Sequence, residues 1–220
     1  MTQHYRIARH DAVLFDFDGV LVDSRQPFAR SVNAALAEHG LSERPEAELY
    51  KYLGPPLHET FRSLVGDRAP IQACVDSYRE RYGRLSGSET TVFPGIRGML
   101  EPLHRETPLV IATSKPQALA EPLAEALDLS RFFVAVVGPS LASEDEQKTV
   151  TVGRSLQALS PDARPVMVGD RSHDIVAAHA NDLPAIGVLW GIGTRDELLG
   201  AGADALAGSP AELAAMLVRS

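Results

Sequence analysis

Residues 12–19 read Ala-Val-Leu-Phe-Asp-Phe-Asp-Gly, an apolar run that leads directly into two aspartates and a glycine. The apolar half predicts a buried strand that ends at Asp16. Asp16 and Asp18 are two residues apart, so an extended chain directs both carboxylates to the same side. In an open parallel sheet, ligands bind beyond the carboxyl ends of the strands, where both acids would lie. We therefore expect either a hard divalent cation or a solvated turn here, with Gly19 free to adopt a positive φ.

The remainder of the chain predicts an α/β fold. Four more apolar runs have the length of buried strands: residues 109–112, 134–137, 165–168 and 185–189. Three helical patterns lie between or after them: residues 117–127, 149–159 and 175–180. Strands that alternate with helices indicate a Rossmann-like core built on a parallel sheet.

Residues 22–90 interrupt this alternation. The stretch shows only helical patterns and no strand-like run; the patterns cover residues 27–39, 46–52, 57–65 and 71–84. Glycine and proline separate them, most clearly at residues 54–56. We therefore predict a small helical cap domain over residues 22–90. The α/β core would comprise residues 1–21 and 91–220, with residues 87–94 as the returning linker.

Composition excludes several classes of protein. The chain has 220 residues and a formal net charge of −8, so it has no general attraction for nucleic-acid polymers or anionic membranes. Cys74 is the only cysteine, which excludes an internal disulfide and a multi-cysteine zinc site. No apolar run approaches the ~20 residues of a membrane span, and residues 1–10 lack the apolar centre of a signal peptide. We expect a cytoplasmic protein with no membrane partner.

A second acidic motif follows the predicted strand at residues 165–168. Asp170 would lie at the strand end, and Asp174 in the first turn of the next helix, where its charge suits the helix dipole. Their spacing of four residues places both acids on one face. The alternative is helix capping by Asp170 or Ser172, which needs no metal.

Two smaller features lie at other element ends. Thr113 and Ser114 follow the strand at residues 109–112, and their hydroxyls and amides suit a phosphate oxygen or, alternatively, a plain helix cap. Lys148 precedes an apolar helix, and a solvated surface is the default environment of such a lysine. The two acidic motifs, the hydroxyl pair and the lysine would converge on one edge of the sheet. A metal, a nucleophile and a cation on one edge suit phosphoryl transfer.

In order along the chain, Asp16-x-Asp18, Thr113, Lys148 and Gly169-Asp170-x-x-x-Asp174 resemble the four motifs of the haloacid dehalogenase superfamily. The resemblance covers nearly the whole chain, and the helical insertion after the first motif is similar to the family's α-helical cap. Further stretches resemble the phosphoglycolate phosphatase-like branch: residues 53–57, 93–95, 169–171 and 187–193.

This resemblance implies Mg²⁺-dependent hydrolysis of a small phosphorylated metabolite. It makes Asp16 the nucleophile that forms an aspartyl-phosphate, and Asp18 the general acid and then the general base. The implied Mg²⁺ ligands are Asp16, the backbone carbonyl of Asp18 and Asp170. Asp174 would bind through water or orient the site.

The resemblance also implies how the phosphoryl group is held. Thr113 and the amide of Ser114 would bind its oxygens. Lys148 would neutralise charge on Asp16 and on the phosphoryl oxygens. Thr113 and Lys148 thus join the two aspartates of the first motif as predicted catalytic residues.

Two alternatives remain open. A sugar-phosphate mutase has the same core motifs and a helical cap, and an isomerised product would reveal it. A non-catalytic protein that binds a phosphorylated ligand or a protein partner is the other alternative, although both Asp16 and Asp18 are present. Asp18 argues against halide chemistry, because the haloacid dehalogenases of the family lack this second aspartate.

Candidate substrate contacts outside the motifs are basic residues. Four cap arginines are available to an anionic substrate, or form a solvated helix face: Arg62, Arg79, Arg81 and Arg84. His173 lies beside the second acidic motif, and residues 54–56 form a rigid loop or a plain turn. The oligomeric state is not readable from the sequence.

Overall fold

The computed structural model describes residues 10–143 and 146–217. Its strands, in chain order, are β1 Ala12–Phe15, β2 Val22–Asp23, β3 Thr91–Val92, β4 Leu109–Ala112, β5 Ala135–Val137, β6 Pro165–Gly169, β7 Ala185–Val188 and β8 Ala205–Ala207. Its helices are α1 Arg25–Glu38, α2 Glu46–Leu49, α3 Leu57–Val65, α4 Ile71–Glu89, α5 Ile96–Leu103, α6 Gln117–Ala126, α7 Lys148–Ser155, α8 Ser172–His179, α9 Arg195–Gly200 and α10 Pro210–Leu217.

The main sheet has six strands in the order β5-β4-β1-β6-β7-β8, and every pair is parallel. β1 lies near the middle, where Phe15 pairs with Ile111 of β4 and with Val168 of β6. The ends of these three buried strands are therefore level with one another. This register brings the residues that follow β1, β4 and β6 to one edge, as the sequence predicts.

Helices cover both faces of the sheet. Phe15 belongs to a hydrophobic cluster that includes residues of α5 and α10, whereas Leu14 belongs to one that includes residues of α7 and α8. Successive side chains of a strand point to opposite faces, so one apolar run supplies both clusters. The predicted α/β core with a parallel sheet is confirmed.

Helices α1 to α4 form an insertion with its own hydrophobic cluster, which includes Phe28, Phe61 and Tyr78. Where the chain leaves and re-enters the core, β2 and β3 pair as a short antiparallel ribbon, Val22 opposite Val92. The division into residues 22–90 and the rest stays a prediction, and residues 1–9, 144–145 and 218–220 of that core lie outside the described residues.

Two details of the insertion differ from the sequence-based expectation. Residues 22–90 do contain a strand, because β2 finds its partner β3 only after the four helices have been passed. Helix α4 continues to Glu89, so the predicted linker at residues 87–94 is too long. Gly87 is exposed and near the helix end, where the cost of about 1 kcal/mol for a helical glycine is tolerated.

None of the helices within residues 10–143 and 146–217 combines the length and the apolar character needed to cross a membrane.

Candidate active site

A buried ammonium group lies between two carboxylates at the edge of the sheet. Lys148, the first residue of α7, donates from Nζ to Asp16 Oδ1 at 2.6 Å. The same Nζ lies 2.9 Å from Asp174 Oδ1 in the first turn of α8. Lys148 is only 6 % exposed, so the default expectation of a solvated lysine is wrong. The two carboxylates replace the solvation that its ammonium group loses.

Asp170 completes an acidic cluster. It follows β6 and is fully buried, and its Oδ2 accepts a hydrogen bond from the amide of Ile192 at 2.7 Å. Its Oδ1 has no hydrogen-bond partner among the described residues. Asp16, Asp170 and Asp174 each present a possible ligand atom, and these atoms lie within 4.8 Å of one another. A buried carboxylate oxygen without a partner, close to two other carboxylates, is a fitting ligand for a hard cation.

The charges of this cluster do not balance. Three buried carboxylates face the single ammonium of Lys148, which leaves two negative charges when all are ionised. Burial, reinforced by Asp174 and opposed by Lys148, raises the pKa of Asp16 to about 7. Burial and the two neighbouring carboxylates also raise the pKa of Asp170 well above its usual range. A divalent cation would supply the missing positive charge, so the residues present fit Mg²⁺.

Burial alone would lower the pKa of Lys148, but Asp16 and Asp174 raise it above the ordinary lysine value. Burial would likewise raise the pKa of Asp174, but the nearby Lys148 and His173 lower it. Lys148 and Asp174 therefore each favour the charged form of the other.

Two glycines allow loops to approach Asp170. Gly19 has a φ of +87°, as its place after the two aspartates predicts, and a Cβ there would overlap the Asp170 carboxylate. A Cβ on Gly191 would overlap the same carboxylate. These backbone segments can close around the cluster only without side chains.

Helix capping is the alternative role for the second acidic motif, and the residue that caps α8 is Asp174. Arg171 is the residue that precedes α8, and its amide donates to Asp174 Oδ2 at 3.1 Å. The same carboxylate therefore caps the helix through one oxygen and faces Lys148 through the other. Asp170 does not cap this helix, because its carboxylate accepts a hydrogen bond from the amide of Ile192 instead.

The Asp18 carboxylate has partners outside the acidic cluster. Ser24 Oγ donates to its Oδ1 at 2.5 Å, and Lys115 Nζ donates to its Oδ2 at 2.7 Å. Lys115 also donates to the hydroxyl of Tyr82, which belongs to α4 of the insertion, at 2.8 Å. Sequence reasoning missed Ser24, Lys115 and Tyr82. Only Lys115 gave a signal, as one of three lysines in the chain and the residue after Thr113-Ser114.

Thr113 and Ser114 do not cap the next helix. That helix, α6, begins at Gln117, whereas the hydroxyl of buried Thr113 accepts from the amide of Lys115 at 3.1 Å. The Thr113 amide donates to Val137 of β5 at 2.9 Å. Thr113 and Ser114 both line the same cavity as Asp16 and Asp18.

This cavity lies between the core and the insertion. Its core residues are Asp16, Asp18, Thr113, Ser114, Lys115, Pro116 and Leu119. Its insertion residues are Phe28, Leu53, Gly54, Pro55, Pro56, Leu57, Tyr78, Arg79 and Tyr82. Of the four candidate arginines, Arg79 is the one among these lining residues. A neighbouring cavity, lined in part by His173, Lys148 and Ser114, shares the loop at residues 55–56.

Residues 13–188 match the family model described as haloacid dehalogenase-like hydrolase. The chain belongs to this family. A 5′-nucleotidase of Pseudomonas aeruginosa is 38 % identical over 193 residues, which cover 86 % of this hydrolase and 87 % of that protein. A phosphoglycolate phosphatase of Chromobacterium violaceum is 33 % identical over 213 residues, which cover 92 % of this chain and 94 % of that protein.

Among solved structures, a crystal structure of a predicted phosphatase from Clostridium acetobutylicum superposes on this hydrolase with a TM-score of 0.87. It is 32 % identical and covers 94 % of this chain and 98 % of that one. The superfamily and its phosphoglycolate phosphatase-like branch, both inferred from the motifs, are confirmed. The prediction of an enzyme, a hydrolase of this family, is confirmed with them.

Proposed function

We propose that this hydrolase releases inorganic phosphate from a small phosphate monoester, with Mg²⁺ and through an aspartyl-phosphate on Asp16. The arrangement of Asp16 carries the proposal. It lines the cavity, contacts Lys148 at 2.6 Å, and lies in one cluster with Asp170 and Asp174. The similarity to a phosphoglycolate phosphatase and to a 5′-nucleotidase supports a phosphate monoester as substrate.

The acidic cluster would hold the metal ion. We assign Asp16, Asp170 and the backbone carbonyl of Asp18 as ligands, with Asp174 bound through water or orienting the site. A bound Mg²⁺ shields the repulsion between an anionic phosphoryl group and an attacking carboxylate. Its charge would also match the two negative charges that Lys148 leaves unbalanced.

In the first step, a carboxylate oxygen of Asp16 forms a bond to phosphorus while the ester bond to the leaving oxygen breaks. Asp18 acts as the general acid and gives a proton to that oxygen, and the alcohol leaves. Ser24 and Lys115 hold Asp18 at 2.5 and 2.7 Å and so orient it. In the second step, water attacks the phosphorus and gives a proton to Asp18, and the bond to Asp16 breaks.

Two sets of groups would stabilise the negative charge on the phosphoryl group during its transfer. Lys148 keeps its ammonium beside Asp16 throughout, because its pKa lies above the ordinary value. Thr113 and the amide of Ser114, which line the cavity, would hold the phosphoryl oxygens. Asp16, Asp18, Thr113 and Lys148 form the proposed catalytic set, and Ser114 is a proposed substrate-binding residue.

The helical insertion would act as a cap. Residues 22–90 form the proposed cap domain, and residues 1–21 and 91–220 the core. Phe28, Tyr78 and Tyr82 from the insertion line the same cavity as Asp16. A cap in this position would exclude bulk water from the leaving-group side. We further expect the substrate to be a small phosphorylated metabolite of the cytoplasm.

The test is phosphate release from a panel of phosphoglycolate, sugar phosphates and nucleoside monophosphates. It is run with Mg²⁺, with chelator, and with the Asp16→Asn variant. We expect metal-dependent release that falls at least about a thousandfold in Asp16→Asn. Asp162→Asn, at an exposed aspartate, is the matched control and should keep full activity.

Three other outcomes would contradict the proposal. Conversion of one sugar phosphate into its isomer without net phosphate release would establish a mutase. Binding of a phosphorylated ligand without turnover would establish a binding protein. Turnover that survives in Asp16→Asn would remove Asp16 as the nucleophile.

A further inference from the structure

Arg171 connects the acidic motif to the helical insertion. It follows Asp170 directly, and its Nη1 donates to the backbone carbonyl of Leu53 at 2.8 Å. The same nitrogen lies 3.4 Å from the carbonyl of Lys51. Both carbonyls belong to the segment between α2 and α3. One guanidinium group therefore reaches from the core to the loop of the insertion that lines the cavity.

The other edge of this guanidinium is fixed within the core. Arg171 Nε donates to Glu197 Oε1 at 3.0 Å, and the amide of Ser172 donates to the same oxygen at 2.9 Å. Glu197 lies in the first turn of α9. The Arg171 side chain is only 15 % exposed, so this ion pair is partly shielded from solvent. Charge-assisted hydrogen bonds of this kind hold a planar guanidinium in one orientation.

The backbone of Arg171 is tied to the acidic cluster. Its amide donates to Asp174 Oδ2 at 3.1 Å, and Asp174 Oδ1 lies 2.9 Å from Lys148 Nζ. Lys148 in turn contacts Asp16. An unbroken series of polar contacts therefore leads from the carbonyl of Leu53 to the proposed nucleophile.

Close backbone packing at the same place supports this connection. Gly54 has a φ of +112°, and a Cβ there would lie 3.0 Å from His173 Cε1 and 3.8 Å from Arg171 Nη1. The loop of the insertion thus rests directly on the side chains that follow Asp170. A displacement of either loop would disturb the other.

We propose that Arg171 is a positioning residue that fastens the loop at residues 53–56 to the loop at residues 170–174, so that closure of the cavity and ordering of the acidic cluster stabilise each other. This inference rests on the proposed cap and metal site. Coupling between two sites is reciprocal. A cation bound in the cluster must therefore stabilise the insertion loop, and loss of the loop contact must weaken binding of the cation.

The first test is amide hydrogen exchange in the full chain, read on the peptide at residues 50–62, with chelator or with Mg²⁺ and inorganic phosphate. In the wild type we expect Mg²⁺ and phosphate to slow exchange there by about fivefold or more. Arg171→Gln should lose this protection, and Arg171→Lys should recover only part of it. Arg131→Gln is the matched control, because Arg131 pairs with Glu101 on the core surface.

The second test measures Mg²⁺ affinity without turnover. Trp190 is the only tryptophan, and it lies two residues before Ile192, whose amide binds Asp170. Its fluorescence therefore reports on the cluster. We expect the dissociation constant for Mg²⁺ to rise about fivefold or more in Arg171→Gln and to stay unchanged in Arg131→Gln.

A second variant protects the inference against a folding defect. Glu197→Gln leaves Arg171 in place but weakens its anchor, and should shift exchange and Mg²⁺ affinity in the same direction by a smaller factor. Equal protection in the wild type and Arg171→Gln, or no protection in the wild type, would overturn the inference. Phosphate release by the wild type distinguishes a failure of this inference from a failure of the proposed function, since it tests that function independently of loop protection.

Discussion

The two aspartates of the first motif lie in opposite electrostatic surroundings. Asp16 shares the Lys148 ammonium with two other buried carboxylates, and negative charge is left over. Asp18 accepts hydrogen bonds from the ammonium of Lys115 and the hydroxyl of Ser24, so one carboxylate here faces one ammonium. A cation from solution would offset the charge that remains beside Asp16, whereas Asp18 already faces an ammonium within the protein.

The two sides also differ in their origin. The groups around Asp16 all come from the core, whereas the partner of Lys115 is Tyr82, which lies in α4 of the insertion. Changes on the first side should alter metal binding and the transfer of phosphate itself. Changes on the second side should be smaller and should depend on where the insertion lies.

Among changes to the partners of the two aspartates, the largest effect is expected from Lys148→Met. Among the residues that the structure describes, it removes the one ammonium that contacts Asp16 and Asp174, so we expect kcat to fall by about 10²–10³-fold. Removing one partner of a buried ion pair should also lower the free energy of unfolding by about 3–5 kcal/mol. Phosphate release and urea unfolding measure the two effects. Lys51→Met, at an exposed lysine, is the control, and comparable losses there would refute the assignment.

Stabilisation by metal should depend strongly on pH. The folded-state pKa of Asp16 is about 7, against 3.8 as its reference value, so its contribution to stability is present below pH 3.8 and is lost as pH rises through 7. Above pH 7 a cation replaces the lost proton. At ~100 times its dissociation constant, Mg²⁺ should add about 2.7 kcal/mol, which raises Tm by about 5–10 °C at pH 8.

The same Mg²⁺ concentration should raise Tm much less at pH 5.5, because protons then compete for Asp16 and Asp170. Thermal unfolding with Mg²⁺ or chelator across this range measures the difference. An Asp170→Asn variant should lose most of the shift at pH 8. A Tm shift that stays constant from pH 5.5 to 8 would count against a metal at these carboxylates.

Lys115→Gln tests the surroundings of Asp18. It leaves Asp18 with Ser24 as its remaining partner, and we expect kcat/KM to fall by about ten- to a hundredfold. The pH-dependent Tm shift by Mg²⁺ should remain, because the acidic cluster keeps its residues. Loss of that shift in Lys115→Gln would show that the two sides are not separate.

The smallest effect is expected from Tyr82→Phe. It removes one hydroxyl, 2.8 Å from Lys115 Nζ, and keeps the ring that stacks on Tyr78. A single hydrogen bond contributes about 0.5–1.5 kcal/mol, so kcat/KM should fall less than about tenfold. The change should be read on kcat/KM for the best substrate of the panel. A loss as large as that of Lys115→Gln would assign Tyr82 a direct part in the reaction.

Local sequence patterns are enough to predict five of the six strands of the core sheet and the residues at their ends, whereas β8 at Ala205–Ala207 is not among the predicted strands. Apolar runs such as residues 12–15 are long enough to identify buried strands, and the parallel register then brings the residues after β1, β4 and β6 to one edge. Asp16, Thr113 and Asp170 were predictable for this reason. Lys148 was predicted as a site residue by family resemblance, while its local sequence indicated only a solvated lysine.

The groups that these residues contact are set by packing between segments that are far apart along the chain. Lys115 lies 97 residues from Asp18 along the chain, and Arg171 lies 118 residues from Leu53. Local patterns carry no information about such pairs, because the contacts depend on how segments distant along the chain pack together. The short ribbon of β2 and β3 was missed for the same reason, since two residues of strand are defined by their distant partner. Periodicity thus specifies elements and their ends, whereas packing between distant segments specifies the polar partners that complete the site.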